Sequence, residues 1–155
     1  MTCRFHMLLV GVLASLTAMS PAPAQDKAAV ASVPASGLTA FLKTHKGPVL
    51  DVRMQGDCDD SRRLRKPADT IGFDFGPDNA DARKMAREMF LGKVKASKAL
   101  STASKQKQTV LVVCCAGGRS EAAAALLAEN GFKVAHLTGG MQSEEIPAAL
   151  LKAKK

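Results

Sequence analysis

Cys114 is the residue of this chain best placed to act as a nucleophile, because a glycine-rich loop and a helix start directly after it. The segment reads Cys114-Cys115-Ala116-Gly117-Gly118-Arg119-Ser120 and runs straight into Glu121-Ala122-Ala123-Ala124-Ala125-Leu126-Leu127. A thiol is a weak nucleophile until it ionises, and a helix N-terminus with a nearby cation can bring a cysteine pKa from roughly 8.5 into the range of about 3.5–7.5. Gly117 and Gly118 permit the dihedrals that wrap backbone N–H groups around one anionic atom. Arg119 adds a cation that cannot be deprotonated. The chemistry this pattern suits is attack by a thiolate whose charge is held by a loop and a helix end.

Two elements must hold that loop. Before it stands the β-branched apolar run Val110-Leu111-Val112-Val113, which reads as a buried strand. After it, an Ala/Leu run of strong helix formers stops at Asn130-Gly131. Upstream, Leu38, Phe41 and Leu42 have the spacing of a short amphipathic helix with Ser36 as its N-cap, and Gly47-Pro48 ends it. Val49-Leu50-Asp51-Val52 is a second short strand, and Ala68 to Phe75 holds a third. Asn79 to Leu100 is the longest helical pattern, with Ala82, Met85, Ala86, Met89, Phe90 and Val94 as its packing face. Ser101 to Gln108 reads as a polar, Lys-rich loop, and Met141 to Lys155 as a short helix interrupted near Pro147. Strands alternating with helices predict an α/β sandwich: a mostly parallel central sheet with helices on both faces, and Cys114 at the carboxyl end of a central strand.

With those residues in place, the chain resembles the rhodanese (thiosulfate sulfurtransferase) family, as a single-domain member with its three-layer sandwich. Cys114-x4-Arg119-Ser120 is similar to the active-site loop of that family. Val49-Leu50-Asp51-Val52-Arg53 resembles its first core strand, and Gly131-Phe132-Lys133-Val134-Ala135-His136-Leu137-Thr138-Gly139-Gly140-Met141 its next strand and Gly-Gly turn. The resemblance covers about Ser36 to Leu151 and fails over Met54 to Asn79. Related phosphatases and arsenate reductases hold an oxyanion in a Cys-x5-Arg loop; the loop counted from Cys114 is one residue shorter and suits a sulfur atom. Counted from Cys115 it matches neither form.

The resemblance implies sulfane-sulfur transfer in two half-reactions through a Cys114 persulfide, from thiosulfate or a related small anionic donor to a thiol or cyanide acceptor. It implies that Cys115, Ala116, Gly117, Gly118, Arg119 and Ser120 bind the sulfur, and that Asp51 and Arg53 support the loop, Asp51 through Arg119 or loop N–H groups. It implies no metal or organic cofactor. Two other classes stay open: a non-catalytic rhodanese-like sulfur-carrier or binding module, and a thiol–disulfide redox protein using Cys58 with Cys114.

The remaining features bound the setting. Arg4, an apolar stretch from Met7 to Met19 and Ala22-Pro23-Ala24 read as a secretory signal peptide over residues 1–24, which places the mature protein in the periplasm or outside the cell. Residues 25–35 read as a flexible mature N-terminus and 36–155 as the domain. Without Arg4, the net charge of +8 becomes about +7, which favours solubility and attracts small anions. The absence of Trp and Tyr and the dispersal of Lys and Arg argue against nucleic-acid binding, and after signal cleavage no stable membrane association is expected. Loss of Cys3 leaves Cys58, Cys114 and Cys115, an odd number, hence at least one free thiol. Cys58 is either a free surface thiol or the partner of Cys114 or Cys115. Arg62, Arg63, Arg65 and Lys66 form a local basic cluster, either a solvated face or part of an anion site. His45 and His136 form no metal-ligand pattern with the cysteines.

Overall fold

The computed structural model describes residues 30–58, 62–66, 68–76 and 78–152; the expected signal peptide and residues 25–29 lie outside them. Five strands form one sheet: β1 Ala31–Pro34, β2 Val49–Asp51, β3 Ala68–Thr70, β4 Val110–Val113 and β5 Val134–Thr138. Their order is β1-β5-β4-β2-β3, and every pairing is parallel. Among the described residues the four α-helices are α1 Leu38–Thr44, α2 Ala80–Ala96, α3 Lys98–Lys105 and α4 Gly118–Glu129. This is the α/β sandwich that the sequence predicts.

Strand alternation divides the core in two. Val110 and Val112 point to the face covered by α2, α3 and α4, where they join Leu50, Phe90, Val94, Leu100, Ala123 and Leu127. Leu111 and Val113 point to the opposite face, with Leu38, Val49, Ala135, Leu137, Met141 and Ile146. A strand buried on both faces must be apolar at every position, which is why β4 reads as an unbroken run. Cys114 continues the Val110–Val112 alternation and so lies under α4.

Several expectations are corrected. Ala31–Pro34, assigned to a flexible N-terminus, instead forms β1, pairing in register from Ala31↔Ala135 to Pro34↔Thr138. Only Val33 of that strand is buried, so little in its sequence marks it. Ser36 is not a cap; it lies in a 3-10 turn, Ala35–Gly37, that leads into α1. The long helix is two. It breaks at Ser97, where the backbone turns extended and the side chain accepts from Leu100 N–H as the N-cap of α3. Ser97 also hydrogen-bonds Asp69, next to the end of β3. Residues 101–105 are therefore helical rather than loop. Met85 and Met89 are exposed at 63% and 58%. The core-facing line on α2 runs from half-buried Ala86 to buried Phe90 and Val94, and each methionine precedes a member of it by one residue, a rotation of about 100° out of the core. Past β5 the chain makes turns and a 3-10 helix, Ala148–Leu150, in place of the expected α-helix.

Three members of the basic cluster, Arg62, Arg65 and Lys66, donate to backbone carbonyls, and Arg63 donates to the Thr70 hydroxyl. Arg62 Nε and Nη2 donate to Met141 O and Ser143 O at 2.9 and 2.8 Å. Arg65 Nε donates to Leu151 O at 2.9 Å and Lys66 Nζ to His45 O at 2.9 Å. His45 stacks on Phe41, and burial, then the Lys66 cation, push its pKa below 6.5, with a contact to Pro48 O only partly opposing them. The folded state therefore takes up this proton less readily than the unfolded chain. Stability should be lost as pH falls from about 6.5 through the lowered folded value. Thermal unfolding at about pH 7.5 and about pH 5.5 checks this: His45→Gln should lose less between the two than the parent, and equal losses would refute it.

Candidate functional site

The site is built where β4 ends between β2 and β5. Gly117 takes φ 102°, which lets the chain turn back under its own strand end. Its N–H then donates to Cys114 Sγ at 3.1 Å, and Ser120 N–H, in the first turn of α4, donates at 3.2 Å. The Ser120 hydroxyl lies 3.4 Å from the same sulfur and donates to Gly117 O at 2.8 Å. Cys114 is 2% exposed and Ser120 fully buried. Backbone donors and a helix N-terminus thus converge on one sulfur, an arrangement that stabilises negative charge there.

The Gly139-Gly140 turn backs the loop. Both glycines have positive φ, 79° and 67°. The chain beyond them donates from Met141 N–H to Cys114 O at 2.8 Å and from Gln142 N–H to Cys115 O at 3.0 Å. A Cβ on Gly140 would stand 2.2 Å from Cys115 O. Arg62 holds the far side of that turn through Met141 O and Ser143 O, so a residue of the divergent segment supports the loop indirectly.

Asp51 and Arg53 occupy the neighbouring strand end but do not meet Arg119. They bind each other: Arg53 Nη2 lies 2.6 Å from Asp51 Oδ2, and Nε lies 2.9 Å from Oδ1. Both are about 95% buried. Removing either would leave an uncompensated buried charge. Arg119 instead pairs with Asp57, whose carboxylate also accepts from Met54 N–H. Desolvation works to raise the Asp57 pKa, but the Met54 N–H and the Arg119 and Arg53 cations outweigh it and hold the carboxyl below its ordinary value. Nothing local in the sequence marks this pairing, because the two partners are 62 positions apart.

Cys58 is joined to Cys115 by a disulfide, which leaves Cys114 as the free thiol among the described residues. Of the alternatives open for Cys58, a free thiol or a bond to Cys114 or Cys115, the structure has the bond to Cys115, so a redox pair of Cys58 with Cys114 is corrected to the adjacent cysteine. The reason is alternation. Cys114 continues the inward-facing positions of β4 toward α4, whereas Cys115 is half-exposed on the loop, where the Met54–Cys58 turn reaches it. Closing 57 residues of chain in this way stabilises the fold by about 4 kcal/mol in the chain-entropy account. Arg53 Nη1 also donates to Cys58 Sγ at 3.6 Å. Ala116 and Gly118 stay exposed on the loop's outer side.

Comparison with known proteins agrees with this architecture. A family model described as the rhodanese-like domain matches residues 38–143. A rhodanese-like domain protein from Staphylococcus aureus is 17% identical, with a TM-score of 0.53 over 81% of this chain and 100% of that one. A Staphylococcus saprophyticus protein is 22% identical, with a TM-score of 0.51 over 79% of this chain and 99% of that one. At these identities the likeness speaks for the fold alone. A search of curated protein sequences gave no match. The family model spans well over half of the chain, from the start of α1 to the turn that backs the cysteine loop, and on that ground the chain belongs to the rhodanese-like domain family.

Proposed function

We propose that this protein is a sulfurtransferase that carries sulfane sulfur on Cys114. Membership of the rhodanese-like family supports a sulfurtransferase or sulfur-binding module in general. The observation that carries the finer reading is the convergence of Gly117 N–H and Ser120 N–H on Cys114 Sγ. In the first half-reaction, the Cys114 thiolate attacks the outer sulfur of thiosulfate. The S–S bond to the sulfonate sulfur breaks, sulfite leaves with the electron pair, and Cys114 becomes a persulfide anion. In the second, cyanide or a thiolate attacks the terminal sulfur and the Cys114 thiolate returns. The same N–H groups hold the charge throughout, which makes them an electrostatic stabiliser that needs no rearrangement.

The proposed setting is the periplasm or the extracellular space. The charged, apolar and A-x-A features of residues 1–24 motivate it, and a Cys58–Cys115 disulfide fits an oxidising compartment. Intact-mass measurement on protein recovered from cells tests both parts. The chain is expected to begin at Gln25 and, with the Cys58–Cys115 disulfide reduced and thiosulfate added, to gain one sulfur atom that cyanide removes. A chain retaining Met1 would refute the compartment. An unchanged mass after thiosulfate, on protein with the disulfide reduced, would refute the transfer.

A further inference from the structure

The Met54–Cys58 turn is fastened to the cysteine loop twice. Cys58 bonds covalently to Cys115, the residue after the nucleophile. Asp57 pairs with Arg119, the cation of the loop. The turn itself is tight: Asp57 N–H donates to Met54 O at 3.3 Å, Gly56 takes φ 84°, and the Asp57 carboxylate accepts from Met54 N–H. The turn is thereby held so that the Asp57 charge stays on Arg119. Arg53, the other guanidinium nearby, carries Asp51 on its Nε and Nη2.

An anion approaching Cys114 therefore meets a loop cation already neutralised by a fixed carboxylate. We infer that Asp57 sets the donor charge that the site accepts, and that the Cys58–Cys115 disulfide controls it. With the disulfide intact, Asp57 disfavours anionic donors. With it reduced, the turn is free to leave and Arg119 is open to them. The inference rests on the reading of Cys114 as the reacting thiol. The reductant is a dithiol: it gives two electrons and two protons to the Cys58–Cys115 bond, releases two thiols, and becomes a disulfide itself.

Alkylation of Cys114 measures this without any sulfur transfer. Iodoacetate and iodoacetamide are nearly the same size and both react with the thiolate, but one is an anion and the other neutral. The ratio of their rates at Cys114, read by peptide mapping of the full chain, reports the field at the sulfur and cancels its accessibility. Asp57→Asn keeps the shape of the side chain and the disulfide. It should raise the ratio by about tenfold or more, as removal of a fixed charge at a steered site does. Cys58→Ser/Cys115→Ser should raise it similarly, and so should reduction of the parent by a dithiol, a measurement that stands if a variant fails to fold. A ratio unchanged in Asp57→Asn overturns the inference, and so does a ratio insensitive to loss of the disulfide. If the ratio shifts while thiosulfate adds no sulfur to the reduced protein, the transfer reading fails and the charge gate stands.

Discussion

Cys114→Ser is expected to lower thiocyanate formation from thiosulfate and cyanide by a factor on the order of 10⁴–10⁶, the range seen when a nucleophile is removed from an otherwise intact site. The serine hydroxyl would still accept the N–H groups of Gly117 and Ser120, so binding and fold should survive while the reacting atom is gone. Cys115→Ser should behave differently. The Cys115 contribution to the loop is its backbone carbonyl, which accepts from Gln142 N–H at 3.0 Å and does not depend on the side chain. Its sulfur is engaged with Cys58. Under reducing conditions Cys115→Ser should keep activity within about tenfold of the parent, since no group donating to Cys114 Sγ is removed. Steady-state rates of the two variants settle the choice of nucleophile: equal losses, or a loss confined to Cys115→Ser, would move the reaction to the wrong side of the loop for this geometry.

The difference between those two cysteines shows what sequence alone can and cannot reach. The strand, loop and helix from Val110 to Asn130 were legible because each is specified by its own residues: a doubly buried strand is apolar throughout, a positive-φ turn takes glycine, and a helix start comes next. The sandwich emerged from the alternation of such elements. What escaped was set by distant partners. Val33 alone marks β1 as a strand, and β1 exists because β5 offers it an edge. Nothing in the sequence singles out Asp57, whereas Asp51 stands as a candidate partner of Arg119 or the loop N–H groups. The structure exchanges these roles, because Arg53 lies two residues from Asp51 and takes its carboxylate first. The break at Ser97 did carry a local signal, a serine three residues before Leu100, but the helical pattern of α2 reads straight through it to Leu100 and the polar residues of α3 beyond that point read as loop.

Gly140→Ala should be among the most damaging single changes outside the cysteine itself. Two costs add. Alanine at φ 67° meets the left-handed penalty of about 1–2 kcal/mol. Its Cβ would also lie 2.2 Å from Cys115 O, 2.4 Å from Cys115 C and 2.5 Å from Ala116 N. These are backbone atoms of the cysteine loop, not the end of a flexible side chain, and overpacking of this kind costs about 1–3 kcal/mol. The sum, about 2–5 kcal/mol, should lower Tm by about 5–20 °C for a domain of this size. Relief can come only by pushing the loop away from the turn, which lengthens the Met141 N–H to Cys114 O and Gln142 N–H to Cys115 O bonds. A displacement near 1 Å at a reacting group costs about 10²-fold in rate, so sulfur transfer should fall by that order even in the fraction that stays folded. Gly92→Ala is the matched control. It lies in the middle of α2 with nothing within 4 Å of its added Cβ, and it should be stabilising by about 0.5–1 kcal/mol with activity unchanged. Thermal unfolding and thiocyanate formation measured on both variants separate a general intolerance of glycine substitution from a specific clash. A Gly140→Ala protein with the Tm and rate of the parent would mean that the Gly-Gly turn does not hold the cysteine loop in place.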